Sequence, residues 1–577
     1  MEISIGIDLG TSFSVAARVN EMGQAEEIVD QARQNAVSIP SVVYYQNDKT
    51  VLVGKAALDE MEAYPEKVIR SAKRFINEDF DPVRPSEVPK DETPVTFQAK
   101  VLAAIKQYVE EHENEYKIKN AVITVPAYFD GMKINLTRDA AEIAGIDVLG
   151  IINEPMAAAI YYCANAEPKN QKFLVYDLGG GTFDVVIIEY RINNDGAIEI
   201  ATLGQDGNHQ LGGDDWDRQL MTFLLNEAGK QDFSIPSKLS DMDPHERQKL
   251  WEKANSAKIA LGKHTEREIT IIVNGTNFQV TVTRDDFERE TKTFLDETGE
   301  RVDKVLKQCE LTENDIDLVL LVGGSTYMPM VQNYVRGKFG AEKVKLNNPN
   351  LAVAYGAAIY ANDLNKFKEI KEAEKKGEHR QGGDITPIPP APPVIIFNAP
   401  RSIGVRSVIG VNDDSFVTNM IYIGEQVKVG EEIEREKTYQ SRQDGSFEVP
   451  FYSNERSSQL SGAITDFSTI EDYLKNNASA LIKVHRNVLS TSDEDAFVSE
   501  SAADLLTYMA SVYFEDDAIK EGDPVKVTIY YSQDRSYAKV EHKGIVKECP
   551  LENRNTLTDD EKDKQKRELE NKKVERL

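Results

Sequence analysis

The stretch Phe173-Leu-Val-Tyr-Asp-Leu-Gly-Gly-Gly-Thr-Phe-Asp-Val-Val-Ile-Ile-Glu189 decides the fold. Its apolar start, Phe173 to Tyr176, reads as a buried strand. Asp177 to Thr182 turns sharply, and Phe183 to Ile188 reads as the returning strand. Gly179, Gly180 and Gly181 leave a backbone with no side chain to hold a ligand away, so consecutive amides can point at one anion. Asp177, just past the strand, is placed to hold a hydrated cation on that anion. Taken alone, the glycine run reads equally well as a tight hairpin.

A second copy argues against that bland reading. Ile3-Ser-Ile-Gly-Ile-Asp-Leu-Gly-Thr-Ser-Phe-Ser-Val-Ala-Ala17 repeats the strand, the Asp-Leu-Gly (Asp8, Leu9, Gly10), a hydroxyl pair (Thr11, Ser12), an aromatic (Phe13) and the returning strand. A turn needed only for folding has no reason to recur with its Asp and hydroxyl in place. Two copies imply duplicated lobes, each giving one phosphate hairpin to a shared cleft.

At 577 residues the chain is too long for one core, and several domains are expected. The net charge of −29 argues against a nucleic-acid surface, so phosphate binding has to come from backbone donors and a metal. The three cysteines, Cys163, Cys309 and Cys549, are far apart and without CxxC, which fits a reducing compartment. Met1-Glu-Ile-Ser4 opens into a strand with no signal-peptide pattern, and no apolar run is long enough for a bilayer. The expectation is a cytoplasmic protein with no membrane and no nucleic-acid partner.

Apolar strand runs alternate with amphipathic helices over the first 360 or so residues, an α/β pattern. Ala121 to Pro126 and Leu318 to Val322 read as strands. Met132 to Ala144, Glu154 to Tyr162, Glu246 to Leu261 and the charged Asn365 to Arg380 read as helices. Five prolines between Gln381 and Pro393 mark a semi-rigid linker and the main boundary. Val394-Ile-Ile-Phe397 is either a docking segment or the next domain's first strand. Short alternating runs, such as Phe447 to Tyr452 and Pro524 to Tyr531, imply a mostly β domain with one helical interruption, Ser499 to Tyr513. Thr558-Asp-Asp-Glu561 is a capping-box start for a charged, solvated helix to Leu577.

Six motifs in order carry a resemblance: Asp8 to Ser12, Ala121 to Phe129, Ile152 to Ala159, Asp177 to Asp184, Leu211 to Asp217 and Val322 to Pro329. They closely resemble the nucleotide-binding domain of the seventy-kilodalton heat-shock (DnaK-type) chaperones. The resemblance implies an actin-like, two-lobed α/β ATPase domain at 1–380, a linker at 381–397, a β-rich substrate-binding domain at 398–550 and a short charged C-terminal helix at 551–577. It implies ATP or ADP with Mg²⁺ as cofactors. Asp8 and Asp177 match residues holding the metal's water shell. Gly10, Thr11, Ser12 and Phe13 match the first phosphate hairpin, and Gly179, Gly180, Gly181 and Thr182 the second. Lys73 matches a lysine facing the terminal phosphate, although alone it reads as a surface lysine. Glu154 and Asp184 match carboxylates near the attacking water and metal. Gly212 and Gly213 match a close approach to the nucleotide, Gly323, Gly324 and Ser325 the adenosine loop, and Lys258 a ribose contact. Phosphoryl transfer to water needs neutralised phosphate charge and a placed water. Backbone amides, Mg²⁺ and Lys73 suit the first, and Glu154, Thr182 and Asp184 the second.

Four positions depart from the family pattern. Tyr327 stands for an arginine that stacks on adenine, Asn255 for a glutamate, Gly262 for a serine and Asn350 for an aspartate. These changes bear on adenosine affinity more than on hydrolysis. Beyond the linker the resemblance weakens, and the family's helical lid is not recognisable. Val417, Met420 and Ile421 are candidates for a peptide cleft, and read more readily as core residues of a strand. The leading expectation is an ATP-regulated chaperone for unfolded or extended polypeptide, with a J-domain co-chaperone and a nucleotide exchange factor as implied partners. The alternative is a nucleotide-gated module for one dedicated protein client. A small-molecule kinase would leave the β domain unexplained.

Overall fold

A computed structural model of the chain describes residues 1–76, 80–81, 84–112, 116–164, 169–193, 197–375, 392–399, 401–409, 414–421, 424–441, 443–454, 483–485, 488–489, 507–533, 535–551 and 559–575. The chain divides into two compact units. The first comprises Met1–Phe129, Leu136–Pro393 and Leu557–Leu577, and the second Asp130–Asn135 and Val394–Thr556.

The first unit contains the same sheet twice. In the first copy the strand order is Ala25–Glu27, Phe13–Val19, Glu2–Leu9, Lys117–Val125, Val148–Asn153. In the second it is Ile198–Asn208, Phe183–Ile192, Gln171–Leu178, Leu318–Val322, Val344–Lys345. Each copy centres on a strand that turns back antiparallel through its acidic hairpin and pairs parallel on its other edge. Parallel pairing needs a crossover, and helices supply it. This duplication gives the two lobes expected from the repeated hairpin, in the actin-like architecture that the resemblance implies. The second copy packs Tyr176, Phe183, Val185 and Ile187 against Trp216, Leu220 and Leu224 of the helix Gly213–Gln231. Each large side chain removed from water there contributes about 1.5–3 kcal/mol.

Two helices, Glu154–Ala164 and Ala352–Lys375, cross closely. Gly356 lies directly on the Ala157 backbone, and Gly6 on that of Ala357 and Ala358, with no space for a methyl group at either glycine. A smaller sheet follows the order Lys573–Glu575, Thr50–Val53, Val42–Asn47, Val68–Arg70.

The second unit is β-rich. One antiparallel sheet includes Asp414–Ile421, Ser402–Ile409, Ser446–Asn454 and Thr507–Glu515. The other includes Ile433–Gln440, Pro524–Tyr531, Ser536–His542 and Ile545–Pro550. Alternation along Ser536–His542 sends every second residue into a core built from Val405, Ile421, Phe451, Phe514, Val527, Ile529 and Val540. Val394–Asn398, assigned to the linker on sequence, opens this unit as a strand paired with Gln426–Lys428.

Two expectations are corrected here and one open reading is decided. The helix expected over Ser499 to Tyr513 is a strand from Thr507 onward, with 499–506 outside the described residues; pairing with Ser446–Asn454 buries Val512 and Phe514, which outweighs the local helical composition. Of the two readings of Val417, Met420 and Ile421, the core-strand one holds: all three side chains are buried. The C-terminal helix ends at Asn571, and Lys573–Glu575 is a strand rather than a solvated helical end. Residues 381–391 of the proline-rich run and the Thr558 cap lie outside the described residues.

Candidate functional site

The two acidic hairpins meet turn to turn. Strand pairing sets Asp8 opposite Val15 and Asp177 opposite Asp184, so each aspartate stands at the turn end of its ladder. Ser12 Oγ sits directly against Gly180, and the Thr11 side chain against Gly181. Only glycine admits this approach, since a Cβ at either position would occupy the partner's volume.

Around these turns the remaining candidates assemble. Lys73, 3% exposed, lies on the short helix Ala72–Phe75. Its Nζ donates to Glu154 Oε1 at 2.8 Å and to the Leu9 carbonyl. Thr124 Oγ1 donates to Asp8 Oδ1 at 3.2 Å. The Asp184 side chain is buried, as is that of Thr182. Gly213 and Asp214 donate their N–H groups to the Gly179 and Gly180 carbonyls at 3.0 and 2.7 Å. Ser325 Oγ donates to Gly179 O at 2.8 Å. Gly323 lies against Leu178 and Asp177, and Gly324 near Asn350 Oδ1. Lys258 Nζ donates to Gly213 O at 2.9 Å and pairs with Asp217 at 2.9 Å, and Asn255 Nδ2 donates to the same carboxylate at 2.9 Å. Gly10 turns tightly onto the Phe13 carbonyl. Phe13 and Tyr327 are about half-exposed, and their rings stand outside this network.

Four acidic side chains, Asp8, Glu154, Asp177 and Asp184, share this space with one buried ammonium. Burial, then the charge of Glu154, pushes the Asp8 carboxyl up to about 7, against the opposing pull of Lys73 and the Thr124 hydrogen bond. Asp177 is held well above the usual range by burial and then by Glu154, Asp184 and Asp8. Asp184 is raised by burial and then by Glu154. Such a set lacks positive charge, which is the condition that a bound cation relieves.

Residues not singled out on sequence complete the site. Arg74 packs its Nε against Gly181 and pairs with Asp215 at 3.2 Å, and Ser71 Oγ donates to Asp214 Oδ2 at 3.0 Å. Ser41 donates its Oγ to Gly10 O at 2.8 Å and its N–H to Ser12 O at 2.9 Å. Thr124 and Asp217 lie inside motifs quoted above and Arg74 directly follows Lys73, so their sequence signal is proximity alone. Farther along, Arg70 stacks on Trp251 at 4.1 Å, and Lys249 pairs with Glu62 at 3.0 Å.

Do these residues fit Mg²⁺ and a nucleotide? Ser12 Oγ, Arg74 Nε and Asp184 Oδ1 are buried without a hydrogen-bond partner among the described residues, and all three adjoin the paired turns. Unpaired buried groups of this kind destabilise the fold unless a ligand satisfies them. Oxygen ligands suit Mg²⁺, and the hydroxyl and guanidinium suit phosphate. Among the described residues no three acidic, His or Cys side chains converge as a direct metal cage.

One consequence is steric. A Cβ on Gly212 would lie 2.5–2.7 Å from backbone atoms of Gly180 and Gly181, which cannot rotate away. Gly212→Ala is expected to lower stability by about 1–3 kcal/mol, measured by denaturant titration, because the second turn is displaced.

Compared with known proteins, residues 4–373 match the family model described as Hsp70 protein. The "Chaperone protein DnaK" of Thermotoga neapolitana is 39% identical over 367 residues, covering 62% of this chain and 59% of the relative. The same-named protein of Mycoplasmopsis synoviae is 38% identical over 364 residues, covering 62% and 58%. That of Thermosipho melanesiensis is 34% identical over 454 residues, covering 78% and 69%. The chain thus spans about three fifths of the length of the first two relatives. The Thermosipho alignment is longer than the 393 residues up to the end of the proline run, so it extends into the β-rich unit.

Proposed function

Because the chain belongs to the Hsp70 protein family, we propose that it is an Mg²⁺-dependent ATPase of the chaperone type, in which nucleotide state governs the holding of extended polypeptide by the β-rich unit. The observation that carries this reading is the meeting of two acidic glycine hairpins around one buried lysine.

Amides of Gly10 to Ser12 and Gly179 to Thr182 hold the phosphates, and Asp8 and Asp177 hold the cation's water. Bound Mg²⁺ supplies the positive charge that the four carboxylates lack. Lys73 offsets charge on the terminal phosphate, and Glu154, Thr182 and Asp184 orient the attacking water. Lys258 and Asn255, both fixed by Asp217, stand for the ribose; the Gly323 to Ser325 turn, with Asn350, stands for the base side. Ser12 and Gly180 touch, so nucleotide entry parts the two turns, and binding energy goes into that movement. Polypeptide clients, a J-domain co-chaperone and an exchange factor are the partners this reading calls for.

The test is phosphate release by the purified full chain, with Mg²⁺ or with EDTA, and with or without extended apolar peptides. Mg²⁺-dependent release stimulated by peptide is the expected result. No release at any Mg²⁺ concentration would overturn the ATPase reading, and release indifferent to every peptide would overturn the chaperone part.

A further inference from the structure

Lys573–Glu575 pairs parallel with Thr50–Val53, in the register Lys573–Thr50, Val574–Val51 and Glu575–Leu52. The Lys573 N–H donates to the Lys49 carbonyl at 2.8 Å. The contact joins residues more than 500 positions apart and extends the small sheet by one strand on its Thr50–Val53 side. An uncovered edge there would present unpaired backbone groups, and an extended segment is what such an edge takes.

The preceding helix, Asp559–Asn571, has ten charged residues among its thirteen. It has little to bury, so it is held at points. Near its start Lys562 Nζ lies 2.9 Å from Glu142 and 3.5 Å from Asp139. Three paired residues, packing of the strand against the helix Pro94–Glu110 and the ion cluster at Lys562 make a local attachment, of the kind that opens without unfolding the whole.

What the covered sheet carries gives the attachment its meaning. Thr50–Val53 pairs with Val42–Asn47, which pairs with Val68–Arg70. Val42–Asn47 begins directly after Ser41, whose two hydrogen bonds hold the Gly10 and Ser12 carbonyls. Val68–Arg70 ends at Ser71, which has φ 57° and leads into the short helix bearing Lys73 and Arg74. Both phosphate-side segments of the first half are therefore hung from this one sheet.

We propose that residues 559–575 are a releasable strap, and that its strand, by completing the sheet behind Ser41 and Lys73, sets the order of the Gly10–Ser12 turn and of the Lys73 segment. This regulation rests on the reading of that cleft as a nucleotide site. Release of the strap loosens both segments together and weakens nucleotide binding.

The experiment is hydrogen exchange on the ligand-free full chain, comparing wild type with Val574→Pro and Lys562→Glu. Exchange at 50–53 is expected to quicken about tenfold, and at 10–14 and 71–75 about threefold or more, with 171–178 unchanged. MgADP affinity of the same variants is expected to fall about three- to tenfold, since the binding-competent state is less populated. No change at 50–53 in either variant overturns the strap. A change confined to 50–53 overturns its coupling to the cleft. Protection at 50–53 that rises with protein concentration, alongside a dimer mass, shows a strand donated by a second copy and overturns the intramolecular form. If Val574→Pro also exposes 171–178, it has unfolded, and Lys562→Glu, which lies outside the sheet, decides. If wild type binds no MgADP, the nucleotide reading fails, while the exchange comparison still decides the strap.

Discussion

Asp177→Asn is expected to give a chain that melts higher than wild type in ligand-free buffer and that hydrolyses no ATP. Asp177 is buried, and its surroundings hold its carboxyl well above the usual range, first by burial and then through Glu154, Asp184 and Asp8. Replacing a buried carboxylate that lacks full compensation by a neutral amide of the same shape recovers about 1–3 kcal/mol. On the proposed reading, in which Asp177 holds the cation's water, its loss is expected to cut turnover about 100-fold or more. The sign with pH follows from the raised values. A proton held more tightly by the folded chain stabilises it fully below the ordinary carboxylate pKa, and that stabilisation is lost as pH rises through the folded value. For Asp8 the window runs from 3.8 to about 7. Wild type without Mg²⁺ should therefore lose stability between about pH 4 and pH 7, on the order of the shift at 1.36 kcal/mol per unit, and level off above. Asp177→Asn should show a shallower dependence. Scanning calorimetry across that range checks both; a lower melting point for Asp177→Asn at pH 8 would contradict the account.

Lys73→Met is expected to lose turnover to the same extent, yet with the opposite effect on stability. Lys73 is 3% exposed and is bound to Glu154 and the Leu9 carbonyl. Among Asp8, Glu154, Asp177 and Asp184 it is the one ammonium whose charge lowers all three raised carboxyls. Removing one partner of a buried pair costs about 3–5 kcal/mol because the other charge is left uncompensated. Mg²⁺ should restore part of that loss in Lys73→Met, and restore less in Asp177→Asn. Two inactive variants separated by the sign of their melting shifts would tie both residues to one electrostatic cluster, which a purely steric account of the site does not give.

The two hairpins could be read from the chain because a strand, an Asp-Leu-Gly and a hydroxyl form a local pattern, and recurrence removes chance. The duplicated sheet order follows from that recurrence. Thr507–Glu515 escaped because an alanine- and leucine-rich approach, Ala502 to Leu506, resembles helix, while the partner that decides the matter is Ser446–Asn454. Lys573–Glu575 escaped for a starker reason: three residues carry no periodicity, and their mate lies at the other end of the chain. Arg74 and Ser41 sit beside quoted motifs, but their contacts with Gly181 and Gly10 exist only once the segments have met. Local sequence reports turns and strands; it does not report which distant backbone closes on them.

The crossing of Glu154–Ala164 with Ala352–Lys375 has a mechanical consequence. At Gly356 the backbones already touch Ala157, so neither helix can approach further, and parting them would open a void in a packed interior. What such a contact does permit is rolling. Glu154 stands less than one helical turn from this fulcrum, so its carboxylate travels little while parts farther from the crossing swing through long arcs. On the proposed reading, in which Glu154 orients the attacking water, rolling about this contact would leave that acid almost stationary.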